Sequence, residues 1–248
     1  MLVGIKGVGT VGGAVAEVLE GLGHVVRRDD PDKGYADDLE GCDIIFVCVW
    51  DSGDMKNLKL AVAEVVNLSP CIVVKTTLRP GTMSELVQAH NKPLIYNPEF
   101  LCELSAIQDF QYQDKVVIGT WHPDATWPLL ELLKPLSENF FIVDPPTAEL
   151  VKLVLNSFYA LKVTFANEVY DACERLGADY ESLRVVMEAD RFVSPNHLDV
   201  WHGGYRGYGG KCLPKDVQMF LDVHTSLLLW VAEGLNTERY ANTGAHHL

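Results

Sequence analysis

The chain has 248 residues, 48% of them apolar, enough to bury a sizeable core in one or two domains. Its formal net charge is −14 and nothing basic is clustered, which excludes a nucleic-acid partner. A small anionic ligand is still allowed, because a few local cations and helix N-termini can hold one.

The first strand, Val3-Gly4-Ile5-Lys6, runs into Gly7-x-Gly9-x-x-Gly12, and Ala14 to Leu19 follow at helical spacing. Gly7 permits the tight turn, Gly9 lets a pyrophosphate approach the backbone, and Gly12 lets helix and strand pack closely. With Val8, Thr10 and Val11 between them, these residues form the expected cofactor-binding turn. The helix should stop near Gly23, and His24 to Arg28 form a second strand reaching Asp29 and Asp30. An acid there can accept hydrogen bonds from an adenosine ribose, and Asp30 fits the spacing slightly better. Arg27 and Arg28 could favour a 2′-phosphate, but the acid argues for NAD.

Asp43 to Val49 is apolar enough to be a strand buried on both faces. A helix is expected over Met55 to Val66, then a strand at Cys71 to Val74 ending in Lys75-Thr76-Thr77. A further helix covers Met83 to Ala89, and the strand at Pro93 to Tyr96 is broken by Asn97-Pro98-Glu99-Phe100. Closing strands at Val116 to Gly119 and Phe140 to Val143 flank a helix near Ala125 to Leu136. These repeated units predict an α/β domain over residues 1–145, a Rossmann-type doubly wound parallel sheet with ligands at the strands' C-terminal ends.

The pattern changes at Asp144-Pro145-Pro146. Thr147 is the expected N-cap of a long helix that stops at Gly177, with Glu149 in its first turn. Asp179 can cap a second helix reaching Ala189, and Val217 to Leu235 reads as a third. Residues 146–248 are thus expected to be all-helical. The long helix is apolar on nearly every face and wants burial against another helix or subunit, so a homodimer through this domain is expected.

Within that domain, Gly209-Gly210-Lys211-Cys212-Leu213-Pro214-Lys215-Asp216 sets a cysteine behind a glycine pair with charged groups close by. A thiol beside a cation is more readily a thiolate, which can attack a carbonyl, although a small buried loop cysteine is the competing reading. Lys152 and Asn156 share one helix face and could donate together to an oxyanion. The competing reading there is a solvated lysine beside a surface asparagine. Cys42, Cys48, Cys71, Cys102, Cys173 and Cys212 have no zinc or disulfide spacing, so no metal is expected. With the first strand starting at residue 2 and no apolar run of membrane length, a cytoplasmic protein without membrane association is expected.

Six strings together resemble the nucleotide-sugar 6-dehydrogenases, which include UDP-glucose and GDP-mannose dehydrogenases. They are the glycine fingerprint, Lys75-Thr76-Thr77 with Pro80-Gly81-Thr82, Asn97 to Glu103, Ala148-Glu149-Leu150-x-Lys152 with Asn156, Asp190-Arg191, and Gly209 to Asp216. The resemblance implies oxidation of a primary alcohol of a UDP- or GDP-linked sugar to a carboxylate, passing two hydrides to two NAD molecules. It makes Cys212 the nucleophile of a thiohemiacetal and then a thioester, and Lys152 and Asn156 the oxyanion donors. Asp216 would position or deprotonate a water, with Glu99 assisting thioester hydrolysis and Thr77 serving both catalysis and cofactor. Glu103 and Lys215 would touch the cofactor. Glu99, Phe100, Leu101, Lys152, Asn156, Tyr205 and Gly209 would line the substrate, together with Arg191 reaching in from a neighbouring subunit. Cys102 is read as packing.

The chain departs from the family pattern in three places. The family continues into a second α/β domain that clasps the nucleotide; here that half is expected to be absent, removed or supplied by a separate polypeptide. The link before Asp43 is short where the family carries a longer helical insertion. Trp50-Asp51-Ser52 also stands where a Thr-Pro turn is usual, and residues 245–248 are expected to be a frayed tail without metal-ligand logic. Two other readings remain, a two-domain hydroxyacid-type dehydrogenase making one oxidation and a non-catalytic NAD-binding subunit.

Overall fold

Strands that are apolar on both faces must be covered by helices on both sides, and the fold follows from that. The computed structural model describes residues 1–202 and 204–242. Contacts divide the chain into two compact units, Met1–Lys152 and from Leu153 onward.

The first unit comprises β1 (Leu2–Lys6), α1 (Thr10–Gly21), β2 (Val25–Asp30), β3 (Tyr35–Ala36), β4 (Ile44–Val47), α2 (Lys56–Val65) and β5 (Ile72–Val74). It continues through α3 (Thr82–His90), β6 (Ile95–Tyr96), α4 (Ala106–Gln111), β7 (Val116–Gly119), α5 (Trp127–Leu133), β8 (Phe140–Val143) and the start of α6 (Pro145–Leu176). The eight strands form one sheet in the order β3-β2-β1-β4-β5-β6-β7-β8. Its core stacks Val3, Ile5, Ile44, Phe46, Val73 and Ile118 against Val15 and Leu19 of α1 and Leu129 and Leu132 of α5. Strand order reverses at β1, flanked by β2 and β4, which marks the ligand crevice of such sheets.

The sheet is doubly wound but not wholly parallel. Pro31 and the left-handed Gly34 turn the chain back after β2, so β3 pairs antiparallel with it. β6 and β7 are also antiparallel, because the segment joining them stays at the end of the sheet where β6 leaves it.

The capping differs from the sequence expectation. Asp144, not Thr147, caps α6: its carboxylate accepts Thr147 N at 2.9 Å and Thr147 Oγ1 at 3.0 Å, and Pro145 fills the first helical position. Glu149 serves another helix. Its carboxylate accepts the Gly81 and Met83 amides, each at 2.7 Å, at the N-terminus of α3. Burial pushes the Glu149 carboxyl above its ordinary value despite these bonds. Glu149→Ala should therefore destabilise the protein by about 1–2 kcal/mol in denaturant unfolding, with Glu149→Gln, which keeps one acceptor, milder. Equal stability of Glu149→Ala and the parent would refute the cap.

The second unit holds the rest of α6, then α7 (Tyr180–Glu188), β9 (Trp201–His202), β10 (Tyr205–Arg206), α8 (Leu213–Val223) and α9 (Leu227–Asn242). Asp179 caps α7 as its spacing predicts, accepting Ser182 N at 2.8 Å. β9 and β10 pair as a short antiparallel hairpin, so among the described residues the unit's regular structure is helical except for this ribbon. The helix expected over Val217 to Leu235 is two helices. His224 turns extended, and Ser226 Oγ accepts Leu229 N at the start of α9, an interruption that hydroxyl residues favour. Along α6, Leu150, Val154, Phe158 and Phe165 form an exposed apolar stripe. The tail from 245 to 248 lies outside the described residues.

Candidate active site

The fingerprint turn has the steric character its glycines predict. Gly7 takes φ +89°, and a Cβ on Gly12 would fall 2.0 Å from the Gly7 carbonyl oxygen. Val8, Gly9 and Thr10 line a cleft of about 690 Å³ together with Glu103, Arg28 and Tyr35, while Val11 packs against the core. The two acids at the end of β2 diverge. Asp29 pairs with Lys6 at 2.6 Å, whereas Asp30 accepts the Val8 amide at 2.7 Å and so lies against the turn. Lys33 reaches the same turn, donating to Val8 O at 2.8 Å, a contact no sequence motif signalled. Arg27 donates to the carbonyls of Asp38 and Glu40, and Arg28 forms a two-bond pair with Glu20.

At the C-terminal ends of β5 and β6 lies a buried ionic cluster. Lys152 Nζ is 3.0 Å from Glu99 Oε1, and Glu99 Oε2 accepts the Leu101 amide at 2.7 Å. Lys152 is only 3% exposed, so the solvated-lysine reading fails. Phe100 lies beneath two cations, with Lys152 Nζ 5.5 Å and Lys115 Nζ 4.7 Å from its ring centre. Lys75, part of the Lys75-Thr76-Thr77 string but given no role by it, is fully enclosed. It donates to Asn97 Oδ1 at 2.8 Å, and burial pushes its ammonium down to about 8. Thr77 is half-buried in the segment after β5. Asp51 organises the departure from the Thr-Pro turn, accepting the amides of Gly53 and Met55, each at 2.8 Å.

In the second unit, Cys212 is exposed at the N-cap of α8. Asp216, in the first turn of that helix, is 1% exposed; its Oδ2 accepts Asn156 Nδ2 at 2.5 Å and its Oδ1 pairs with Lys215 at 2.8 Å. Asn156 is thus buried and engaged with a carboxylate sixty residues away, a partnership spacing alone could not reveal. A Cβ on Gly209 would come within 2.8–2.9 Å of Tyr240 and the Tyr205 hydroxyl, so any larger residue there must displace these tyrosines. Arg191 lies in the exposed turn after α7, with its guanidinium 4.4 Å from the Phe192 ring centre. Among the described residues, no three His, Cys, Asp or Glu side chains are grouped to hold a metal, and no helix is long and apolar enough to cross a membrane.

A dinucleotide-binding sheet followed by a helical unit with a thiol at a helix start defines the class. Residues 32–140 match the NAD binding domain of the UDP-glucose/GDP-mannose dehydrogenase family, and residues 146–239 match its central domain. The chain is 33% identical over 198 residues to the UDP-glucose 6-dehydrogenase of Rickettsia conorii, covering 74% of this chain and 45% of that protein. It is 31% identical over 226 residues to a Bacillus subtilis UDP-glucose 6-dehydrogenase, covering 82% of this chain and 50% of the relative. A solved UDP-glucose dehydrogenase from Pyrobaculum islandicum superposes with TM-score 0.82 at 27% identity, covering 97% of this chain and 69% of that one. The fold is also shared, at 16% identity and TM-score 0.75, with the 3-hydroxyisobutyrate dehydrogenase of Mycobacterium tuberculosis, covering 98% of this chain and 94% of that one.

The chain belongs to the UDP-glucose/GDP-mannose dehydrogenase family. It spans about half the length of the curated relatives it matches. The cofactor is NAD, and the glycine cradle, in which a Cβ at Gly12 cannot fit, suits its pyrophosphate.

Proposed function

We propose that this chain carries the cofactor and catalytic parts of an NAD-dependent enzyme that oxidises the 6-hydroxyl of a UDP- or GDP-linked sugar to the uronic acid in two steps. The domain division proposed is a cofactor domain to residue 145 and a helical domain from 146. The observation that carries the reading is the pairing of an exposed thiol at the N-cap of α8 with the buried Asn156–Asp216 contact behind it.

Val8, Gly9, Thr10 and Gly12 would hold the NAD pyrophosphate, Asp30 the ribose, and Thr77, Glu103 and Lys215 the remainder. Bound there, NAD supplies the hydride acceptor. Lys152 and Asn156, one turn apart on α6, donate to the substrate oxygen as charge builds on it. The Cys212 thiolate adds to the aldehyde carbon, and the resulting thiohemiacetal, once oxidised, is a thioester. Asp216 orients or deprotonates the water that attacks this thioester, and Glu99 assists its release. Phe100, Leu101, Tyr205 and Gly209 would contact the sugar nucleotide, with Arg191 contributed across a dimer.

Asp30→Ala should weaken NAD binding by about 1.5–3 kcal/mol, the scale of a hydrogen bond to a charged group, and the parent should prefer NAD to NADP in calorimetry. Tighter NADP binding by the parent would transfer recognition to Arg27 and Arg28.

The exposed stripe at Leu150, Val154, Phe158 and Phe165 supports a homodimer through α6. Phe158→Glu should sediment as a monomer, and a monomeric parent would refute the pairing. A cytoplasmic location completes the proposal. Incubation with NAD and a panel of UDP- and GDP-sugars, with and without the chain's natural partner, tests the activity. Mass spectrometry should detect a uronic acid, and its absence throughout would favour a binding subunit.

A further inference from the structure

One side chain of α9, Asn236, grips the backbone of the glycine-rich segment leading to Cys212. Asn236, 8% exposed, makes two hydrogen bonds to one residue of that segment: its Oδ1 accepts Tyr208 N at 2.6 Å and its Nδ2 donates to Tyr208 O at 2.8 Å. This is the pattern by which a neighbouring strand would pair, supplied by one amide. The adjoining glycine is shaped to admit it. Gly207 has φ +93°, and a Cβ there would fall 2.3 Å from Asn236 Oδ1. Just before this point, Arg206 ties the segment to α6 through Asn167 Oδ1 at 3.0 Å and Asp171 at 2.6 Å. The Tyr208 ring packs with Ala160, Val163 and Val217. Backbone and side chain are therefore both fixed four residues before Cys212, while the left-handed Gly210 lies between.

We infer that Asn236 is a positioning residue for Cys212, clamping the Tyr208 backbone so that the thiol stays at the start of α8. The inference rests on the reading of Cys212 as the nucleophile. Asn236 itself reaches no reacting atom on this account. Its importance follows from geometry, since displacement of a reacting group by about 1 Å can cost roughly a hundredfold in rate.

The test uses the full chain, with its natural partner if turnover requires one, and the variants Asn236→Ala and Asn236→Asp. Aspartate keeps the size and one acceptor but sets an oxygen against the Tyr208 carbonyl. Cys212 and Cys102 are both exposed, so iodoacetamide labelling resolved by peptide mass spectrometry gives two rates in one molecule. A helix N-terminus favours a thiolate, so loosening the clamp should slow labelling at Cys212 several-fold relative to Cys102. Uronic acid formation should fall roughly tenfold to a hundredfold, with NAD affinity unchanged. General destabilisation would instead raise labelling at both sites and at the buried cysteines.

Unchanged relative labelling and unchanged turnover in both variants would overturn the inference, as would failure of both to fold, which would make Asn236 a purely structural residue. Undiminished acid formation by Cys212→Ser would instead remove the nucleophile reading, while the labelling ratio would still judge the clamp.

Discussion

Cys212→Ser is expected to abolish uronic acid formation while leaving fold and NAD affinity intact. Serine is nearly isosteric with cysteine, and position 212 is exposed at the N-cap of α8, so packing loses little. The hydroxyl, however, is far less nucleophilic at neutral pH. Removing an active-site nucleophile can cost on the order of 10⁶-fold in turnover. The variant should therefore stall before a thioester can form, converting a supplied aldehyde slowly at most or halting as an ester. Steady-state product analysis with calorimetric NAD titration measures both halves of this expectation. Acid made at an undiminished rate would exclude covalent catalysis and favour an enzyme of hydroxyacid type making one oxidation.

Lys152→Ala should fail differently, slowing both oxidations rather than stopping one. An oxyanion donor acts whenever charge gathers on the substrate oxygen, and losing one costs about 2.7–4 kcal/mol, or about a hundredfold to a thousandfold in kcat. The change also strands Glu99, whose side chain is only 10% exposed and pairs with Lys152 at 3.0 Å. Leaving one member of a buried pair uncompensated is costly, so stability should fall too. Lys152→Met combined with Glu99→Gln separates the two effects by removing both charges while preserving volume. Single-turnover kinetics should show both hydride steps slowed in either variant. A Lys152→Ala enzyme slowed only in thioester hydrolysis would contradict the oxyanion role.

What could be read before folding was what local physics controls. The glycine fingerprint, the buried strands and the start of α7 at Asp179 all depend on residues adjacent in sequence, and they stand where their spacing predicts. The antiparallel β6–β7 pair was not legible, because strand direction depends on where a connecting segment travels. Nor was the break between α8 and α9, where apolar residues keep helical spacing across a polar His-Thr-Ser run.

Within the candidate site, residue types were legible and partnerships were not. Lys152 and Asn156 share a helix face, yet one pairs with Glu99 and the other with Asp216. The cap at Glu149 is likewise a long-range bond, to the start of α3. Lys75 and Asn236 were missed as functional candidates for a common reason. Each takes its partner from a distant segment, Asn97 for Lys75 and Tyr208 for Asn236, and spacing alone does not show such a partner. Asp51 replaces a familiar turn by accepting backbone amides, which its spacing from Gly53 and Met55 permits without announcing.

The stoichiometry of reduction bears most directly on the central claim. With a sugar nucleotide limiting and NAD in excess, NADH formed by the chain is compared with sugar consumed. Covalent four-electron oxidation through Cys212 predicts two NADH per sugar and a uronic acid as the only product. One NADH per sugar, with an aldehyde or ketone accumulating, would contradict it.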